Sequence, residues 1–149
     1  MGPVLTRTAT PADYDAIARV VGDWWGRPVL GSLPRLYLDL FCRTSLVIDG
    51  DHGPDAFLVG ILSPSDAARA YIHFVGVGPA VRGRGYARLL YEEFFRLARS
   101  DGRTVASAIT AVANTGSVAF HRALGFTATG PVEDYNGPGR AMMVFERVL

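Results

Sequence analysis

Lysine is absent from this chain of 149 residues, so all 15 basic residues are arginine. Without lysine the chain cannot form an internal Schiff base, which excludes pyridoxal-phosphate and class I aldolase chemistry. The same absence excludes a nucleoside triphosphatase of the Walker type, because that phosphate loop requires a lysine.

Cysteine and long apolar runs are also scarce. Cys42 is the only cysteine, so no intrachain disulfide can form and we expect a reduced, cytoplasmic protein. No unbroken apolar run approaches the roughly 18 residues that cross a membrane, and no signal peptide is visible. The net charge of +1 gives no reason to expect nucleic acid or an anionic membrane as a partner.

Hydrophobic periodicity and turn residues predict eleven elements in the order β-α-α-β-β-β-α-β-α-β-β. The predicted strands cover 4–8, 45–48, 56–62, 70–77, 104–110, 126–129 and 141–148, and the helices 11–23, 34–41, 85–100 and 117–124. No linker divides the chain, so we expect one domain over residues 1–149. The order favours an α/β (α+β) fold with a mixed, mostly antiparallel sheet of six or seven strands and helices on both faces.

Three local details accompany this prediction. Thr10 is the expected cap of the first helix, with Pro11 at its first position. Leu36, Leu40 and Phe41 are the expected apolar stripe of the second helix. The acidic stretch 49–55 is interpreted as a hairpin turn, because its spacing matches no metal site.

The segment Arg82-Gly83-Arg84-Gly85-Tyr86-Ala87 lies between a predicted strand and a predicted helix. Glycines let the backbone approach an anion, while free N–H groups and the helix dipole point at it. Arg88 lies one residue further on and adds charge. A dinucleotide-binding fingerprint fits less well, because Arg88 occupies its third glycine position and the segment lies past mid-chain.

These residues resemble the GNAT superfamily of N-acetyltransferases, whose motif is Arg/Gln-x-x-Gly-x-Gly/Ala after a strand. A second element of that family, an Asn followed by a short helix that ends in Gly-Phe, matches Asn114, Ser117 and the run Phe120–Phe126. The resemblance is strong from about Ala70 to Phe126. It implies the GNAT fold and acetyl-CoA as cofactor.

For the donor half, the resemblance implies that the backbone of Val75 and Val77 binds pantetheine. The N–H of Gly76 or Val77 would polarise the acetyl carbonyl, and Gly76 would let the thioester come close. The resemblance further assigns the cofactor-binding residues Arg82, Gly83, Arg84, Gly85, Tyr86, Ala87, Arg88, Asn114, Ser117 and His121.

For proton transfer, His121 stands where this family usually has a catalytic tyrosine. It is either the acid that protonates the thiolate, or a residue that hydrogen-bonds the cofactor sulfur or a backbone carbonyl. The strand before the loop has no carboxylate to serve as base. His73 is either that base or a satisfied core histidine. Alternatively the base is Glu133, Asp134 or Tyr135 of the loop before the last strand, and it stays unassigned.

The acceptor half is less determined. Trp25, Asp134 and Tyr135 are candidate substrate residues, because the N-terminal region and the loop before the last strand border the acceptor in this family. His73, on the strand before the glycine loop, is a fourth candidate. We expect transfer to the primary amine of a small molecule, by direct attack in a ternary complex without metal. A protein or peptide acceptor, a non-catalytic acyl-CoA-binding module and a homodimer remain open.

Overall fold

The computed structural model describes residues 3–149, and within them seven strands and four α-helices follow the predicted order. Their bounds are β1 Arg7–Thr8, α1 Asp13–Trp25, α2 Leu36–Phe41, β2 Leu46–Gly50, β3 Gly53–Leu62, β4 Arg69–Val77, α3 Tyr86–Ser100, β5 Val105–Ala111, α4 Thr115–Ala123, β6 Thr127–Val132 and β7 Met142–Val148.

The strands form one sheet in the order β1-β2-β3-β4-β5-β7-β6. The pairs β1–β2, β2–β3, β5–β7 and β6–β7 are antiparallel. β4 and β5 are parallel, with Arg69–Tyr71 opposite Val105–Ser107. The mixed, mostly antiparallel sheet expected from the sequence is therefore confirmed.

Contacts divide the chain into two compact units, and the first consists of the chain up to Ile61 together with Ile72–Leu97. In this unit Ile17 of α1 and Leu38 of α2 pack in one apolar cluster with Phe57 of β3. Gly60 of β3 lies against Phe94 of α3, whose ring occupies the space that a Cβ on Gly60 would need. Because residues 57 and 60 face opposite sides of the strand, this unit has helices on both faces.

The second unit consists of Leu62–Tyr71 and Ala98–Leu149. Within it β5 and β7 are paired from Val105↔Val148 to Ala111↔Met142. Arg103 fixes the connection before β4, because its Nη1 donates to the carbonyls of Ser63, Asp66 and Arg69 at 2.7, 3.0 and 3.2 Å.

The start of α1 differs from the prediction. The helix begins at Asp13, and Thr10 does not cap it; instead the Thr10 N–H donates to the Asp13 carboxylate at 2.7 Å. Arg7 explains why this carboxylate is held in place, since its guanidinium binds both Asp13 and Asp49 at 2.7 Å. The helix also runs through Trp25 and ends at Gly26, whose φ of +68° suits a glycine.

The apolar stripe predicted for α2 is wrong. Leu36 and Leu40 are 58% and 63% exposed, whereas Leu38 is 1% exposed and faces the core. A six-residue helix makes fewer than two turns, so its own periodicity determines the buried face poorly and the surrounding cluster decides it.

The first three strands also differ in length from the prediction. β1 has only two residues, while β2 and β3 extend toward each other until Gly50 pairs with Gly53. The predicted hairpin is confirmed, but its turn shrinks to Asp51 and His52.

Candidate active site

The loop between β4 and α3 has the backbone that the sequence motif predicts. Gly83 and Gly85 have φ values of +77° and +80°, which side-chain-bearing residues rarely adopt. A Cβ built on either glycine would meet no atom within 4 Å, so the space beside both is open. Arg84 and Tyr86 line an open groove of about 1080 Å³ that continues to the β2–β3 turn.

The first turn of α3 adds hydrogen-bond donors to this loop. Its early N–H groups have no partner within the helix, and the Leu89 N–H is bonded to the Gly85 carbonyl at 3.0 Å. Arg84 is exposed, and Arg88 is also exposed but forms an ion pair with Glu92 at 3.6 Å. An open glycine backbone, helix N–H groups and exposed arginine charge fit a diphosphate.

The Arg82 side chain binds backbone carbonyls of the protein, unlike an arginine held ready for a phosphate. Its Nε donates to the Val77 carbonyl at 3.2 Å, and its Nη2 donates to the Trp24 carbonyl at 2.7 Å. The side chain therefore joins the end of β4 to the last turn of α1. The two partners are 58 residues apart, so no sequence signal could have shown this contact.

The end of β4 carries Val75, Gly76 and Val77. A Cβ on Gly76 would lie 2.5 Å from the Phe57 ring and 3.2 Å from the Trp25 ring. The missing side chain therefore makes room for two aromatic rings, which explains the glycine without invoking a nearby thioester. The N–H role predicted for Gly76 concerns its backbone and is unaffected.

His73 is partly buried beside residues of the α1–α2 segment. Its ring stacks on Tyr37 with centroids 4.0 Å apart, and its Nε2 lies 2.7 Å from the Ser32 carbonyl. Because a carbonyl only accepts, Nε2 carries the hydrogen and the neutral ring holds its lone pair at Nδ1. Burial lowers the pKa of His73 below its ordinary 6.5, although the bond to Ser32 opposes the shift.

Trp25, the other candidate substrate residue of the first unit, is also partly buried. Its ring lies 5.0 Å from that of Phe74, which in turn stacks on Phe57 at 5.8 Å. Trp25 thus packs against the apolar cluster and keeps part of its surface exposed.

His121 lies on α4 in the second unit and is 5% exposed. Its ring stacks on Phe145 at 4.1 Å, and its Nδ1 donates to the Ser117 carbonyl at 2.7 Å. Burial lowers the pKa of His121 below 6.5, so the neutral form prevails at pH 7. His121 thus binds a backbone carbonyl, and its roles as an acid and as a ligand of the cofactor sulfur stay predictions.

Asn114 and Ser117 organise the start of α4. The Asn114 side chain accepts a hydrogen bond from the Ser117 N–H at 3.1 Å, as an N-cap does. The Ser117 hydroxyl lies 3.3 Å from His121 Nδ1. Ser117 thus holds the imidazole and Asn114 caps the helix that carries both, and their contact with the cofactor stays a prediction.

Asp134 and Tyr135 lie on the loop between β6 and β7. Asp134 has a φ of +54°, and its carboxylate accepts the Gly139 N–H at 2.8 Å. This carboxylate therefore stabilises the turn that holds it. Tyr135 is exposed on the same loop.

Comparison with known proteins identifies the family. The family model for acetyltransferases of the GNAT type matches residues 31–126. A search of the curated proteins by sequence gives no significant match.

Solved structures share the fold. A protein from Desulfovibrio desulfuricans assigned to the GNAT family is 16% identical with a TM-score of 0.83, over 98% of this chain and 99% of that one. Escherichia coli ribosomal-protein-S18-alanine N-acetyltransferase is 13% identical with a TM-score of 0.80, over 98% and 94%. N-acetylglutamate synthase from Neisseria gonorrhoeae, complexed with coenzyme A and N-acetyl-glutamate, is 22% identical with a TM-score of 0.79, over 100% of this chain and 36% of that one.

Identities this low show a common fold and leave the acceptor open. Among residues 3–149, no helix is both long and apolar enough to cross a membrane. The family match covers α2 through Phe126, which includes the glycine loop, the start of α3 and the capped helix of His121. With the loop geometry and the shared fold, this match shows that the chain belongs to the GNAT family of acetyltransferases, whose acetyl donor is acetyl-CoA.

Proposed function

We propose that this protein transfers an acetyl group from acetyl-CoA to the primary amine of a small molecule, by direct attack of the amine in a ternary complex. The observation that carries the proposal is the open loop of Gly83 and Gly85 at the start of α3 in a member of this family. The loop supplies the anion-binding backbone that the diphosphate of the donor needs.

The donor residues act mainly through backbone groups in this proposal. Val75 and Val77 bind the pantetheine arm, and the N–H of Gly76 or Val77 polarises the acetyl carbonyl. The bound donor supplies a thioester. Arg84 and Arg88 contribute charge near the diphosphate, which strengthens hydrogen bonding to its oxygens.

His73 is the proposed base. A base must be unprotonated at working pH, and the burial of His73 favours its neutral form. The bond from Nε2 to Ser32 fixes the tautomer that keeps the lone pair at Nδ1. The ring is held flat against Tyr37, so its orientation is set before an amine arrives.

His121 is the proposed proton donor. Its resting form is neutral, so it first takes up a proton from water and then releases that proton to the leaving thiolate, while the proton of the amine goes to His73. The Nδ1 bond to Ser117 leaves Nε2 as the nitrogen that gains and loses this proton.

The surroundings of His73 favour an amine with an apolar body. Tyr37, Phe74 and Trp25 are all partly buried rings, and such rings accommodate apolar groups or a cationic amine. A peptide main chain instead requires polar partners for each of its amide groups. We therefore propose a small apolar or aromatic amine, in preference to a peptide, as the acetyl acceptor.

The proposal is tested in two steps. Calorimetry with acetyl-CoA should show binding in the micromolar range, and no binding at millimolar cofactor would refute the donor site. Thiol release is then measured with aromatic amines, polyamines, amino acids and peptides that begin with alanine or serine. Faster turnover with peptides than with small amines would show that the acceptor is a peptide. Binding of acetyl-CoA without any turnover would indicate a non-catalytic module.

A further inference from the structure

Trp24 contacts the segment that begins the donor loop in two independent ways. Its carbonyl accepts a hydrogen bond from Arg82 at 2.7 Å. Its ring lies against Gly78, where a Cβ would come within 3.2 Å of Trp24 Cζ2. We call Trp24, Gly78 and Arg82 the Trp24 clasp.

The clasp supplies a partner that the end of α1 lacks. The last carbonyls of a helix have no bond within the helix. At this end the Asp23 carbonyl accepts from the Gly26 N–H, and the Gly22 carbonyl accepts from the Arg27 N–H. The Trp24 carbonyl instead accepts from the Arg82 side chain. A guanidinium is also favourable at a helix C-terminus because of the helix dipole.

The clasp is connected at both ends to residues of the proposed reaction. On one side Arg82 Nε donates to Val77, the last residue of β4. On the other side Trp25 follows Trp24 directly and packs against Phe74, next to His73. One arginine therefore joins the end of β4 to the end of α1, whose next residue packs beside the neighbour of His73.

We propose that Arg82 is a positioning residue that couples occupation of the donor loop to the end of α1, where it orders the wall around His73 for the acceptor. It acts on the cofactor through Val77 and on the acceptor through Trp24, not as a direct ligand of the phosphates. This inference rests on the proposed function for the donor site.

The coupling has a spectroscopic readout because the only two tryptophans are Trp24 and Trp25. In a Trp25→Phe background, Trp24 alone reports. Addition of coenzyme A should change its fluorescence, and Arg82→Gln should abolish that change at saturating ligand. Arg82→Lys retains the charge but not the two-pronged geometry, and it should also lose most of the signal. An unchanged signal in both variants, or no signal before substitution, would overturn the coupling.

Ligand fragments distinguish positioning from direct binding. Arg82→Gln should weaken coenzyme A by about tenfold, as for one lost hydrogen bond to a charged group, and leave 3′-phosphoadenosine 5′-diphosphate within about twofold. Arg84→Gln should weaken both ligands equally, because Arg84 is exposed at the loop. Arg99→Gln, on the exposed surface near the end of α3, controls for loss of positive charge. Equal losses for Arg82 and Arg84 would show that Arg82 is a phosphate ligand.

The experiment separates this inference from the proposed function. If coenzyme A does not bind the unmodified protein by calorimetry, the donor site itself is wrong. If it binds and the fluorescence of Trp24 is insensitive to Arg82, only the coupling is wrong.

Discussion

Single residues determine whether the donor loop can bind an anion, and glycine is the clearest case. Gly85→Ala should lower the affinity for acetyl-CoA at least tenfold, because alanine is strained at a φ of +80° and the loop would relax. The strain should also reduce stability by roughly 1–2 kcal/mol. Calorimetry and urea unfolding measure the two effects.

Gly102→Ala is the matched control. Gly102 has nearly the same φ, +79°, and equally open surroundings, but it lies after α3, away from the loop. It should show the same loss of stability with unchanged affinity. A similar loss of affinity in both variants would mean that strain acts through global stability and not at the loop.

The pH dependence of catalysis tests whether His73 is the base. If it is the base, kcat/KM should rise with pH along a limb whose midpoint lies below 6.5, since burial lowers the pKa of His73. His73→Gln should reduce kcat by about a hundredfold or more and remove the limb. A limb that persists in His73→Gln would assign the base elsewhere.

Secondary-structure elements are stabilised at their ends, and the N-cap of α4 can be tested apart from cofactor binding. Asn114→Ala should destabilise the protein by about 1 kcal/mol. Asn114→Asp retains a capping oxygen for the Ser117 N–H and should restore stability. If acetyl-CoA affinity still falls in Asn114→Asp, then Asn114 also contacts the cofactor.

Much of the secondary structure could be predicted from the sequence, because hydrophobic periodicity and turn residues are local signals. The order of elements, the bounds of β4 to within one residue and the glycine loop are examples. The buried face of α2 could not be predicted, since distant core residues place Leu38. The start of α1 could not be predicted either, since Asp13 is held by Arg7, which is itself bound to the distant Asp49. Contacts between residues far apart in the sequence also explain why two other features could not be predicted. These are the hydrogen bond from Arg82 to Trp24 and the aromatic packing that requires Gly76.

For the molecule as a whole, buried histidines make stability depend on pH. The pKa values of His73 and His121 are lowered in the folded state, so the unfolded chain binds more protons below about pH 6.5. Stability is therefore fully present above that pH and falls as the pH drops toward the folded pKa values. Urea midpoints should be lower at pH 5 than at pH 7.5.

Substitution identifies the source of this dependence. His121→Phe should reduce the difference between the urea midpoints at the two pH values, because phenylalanine has no group that takes up a proton on unfolding. His52→Gln removes an exposed imidazole of the β2–β3 turn and controls for loss of a histidine. Asp13 and Asp49 lie beside Arg7, which lowers the pKa values of both carboxylates. Their protonation adds a further loss of stability only below about pH 4. An unaltered difference in His121→Phe would contradict the assignment.

The contact between Gly60 and Phe94 places α3 close to β3. Phe94 lies eight residues after Tyr86, where α3 begins, which is about 12 Å along a helix. A side chain at position 60 would meet both the Phe94 ring and the Thr44 carbonyl, so we expect it to shift α3 against β3 and, with it, the start of the helix. We therefore expect substitutions that enlarge position 60 to change cofactor affinity as well as packing. A laboratory search for altered donor preference can begin there, away from the residues proposed to bind the donor.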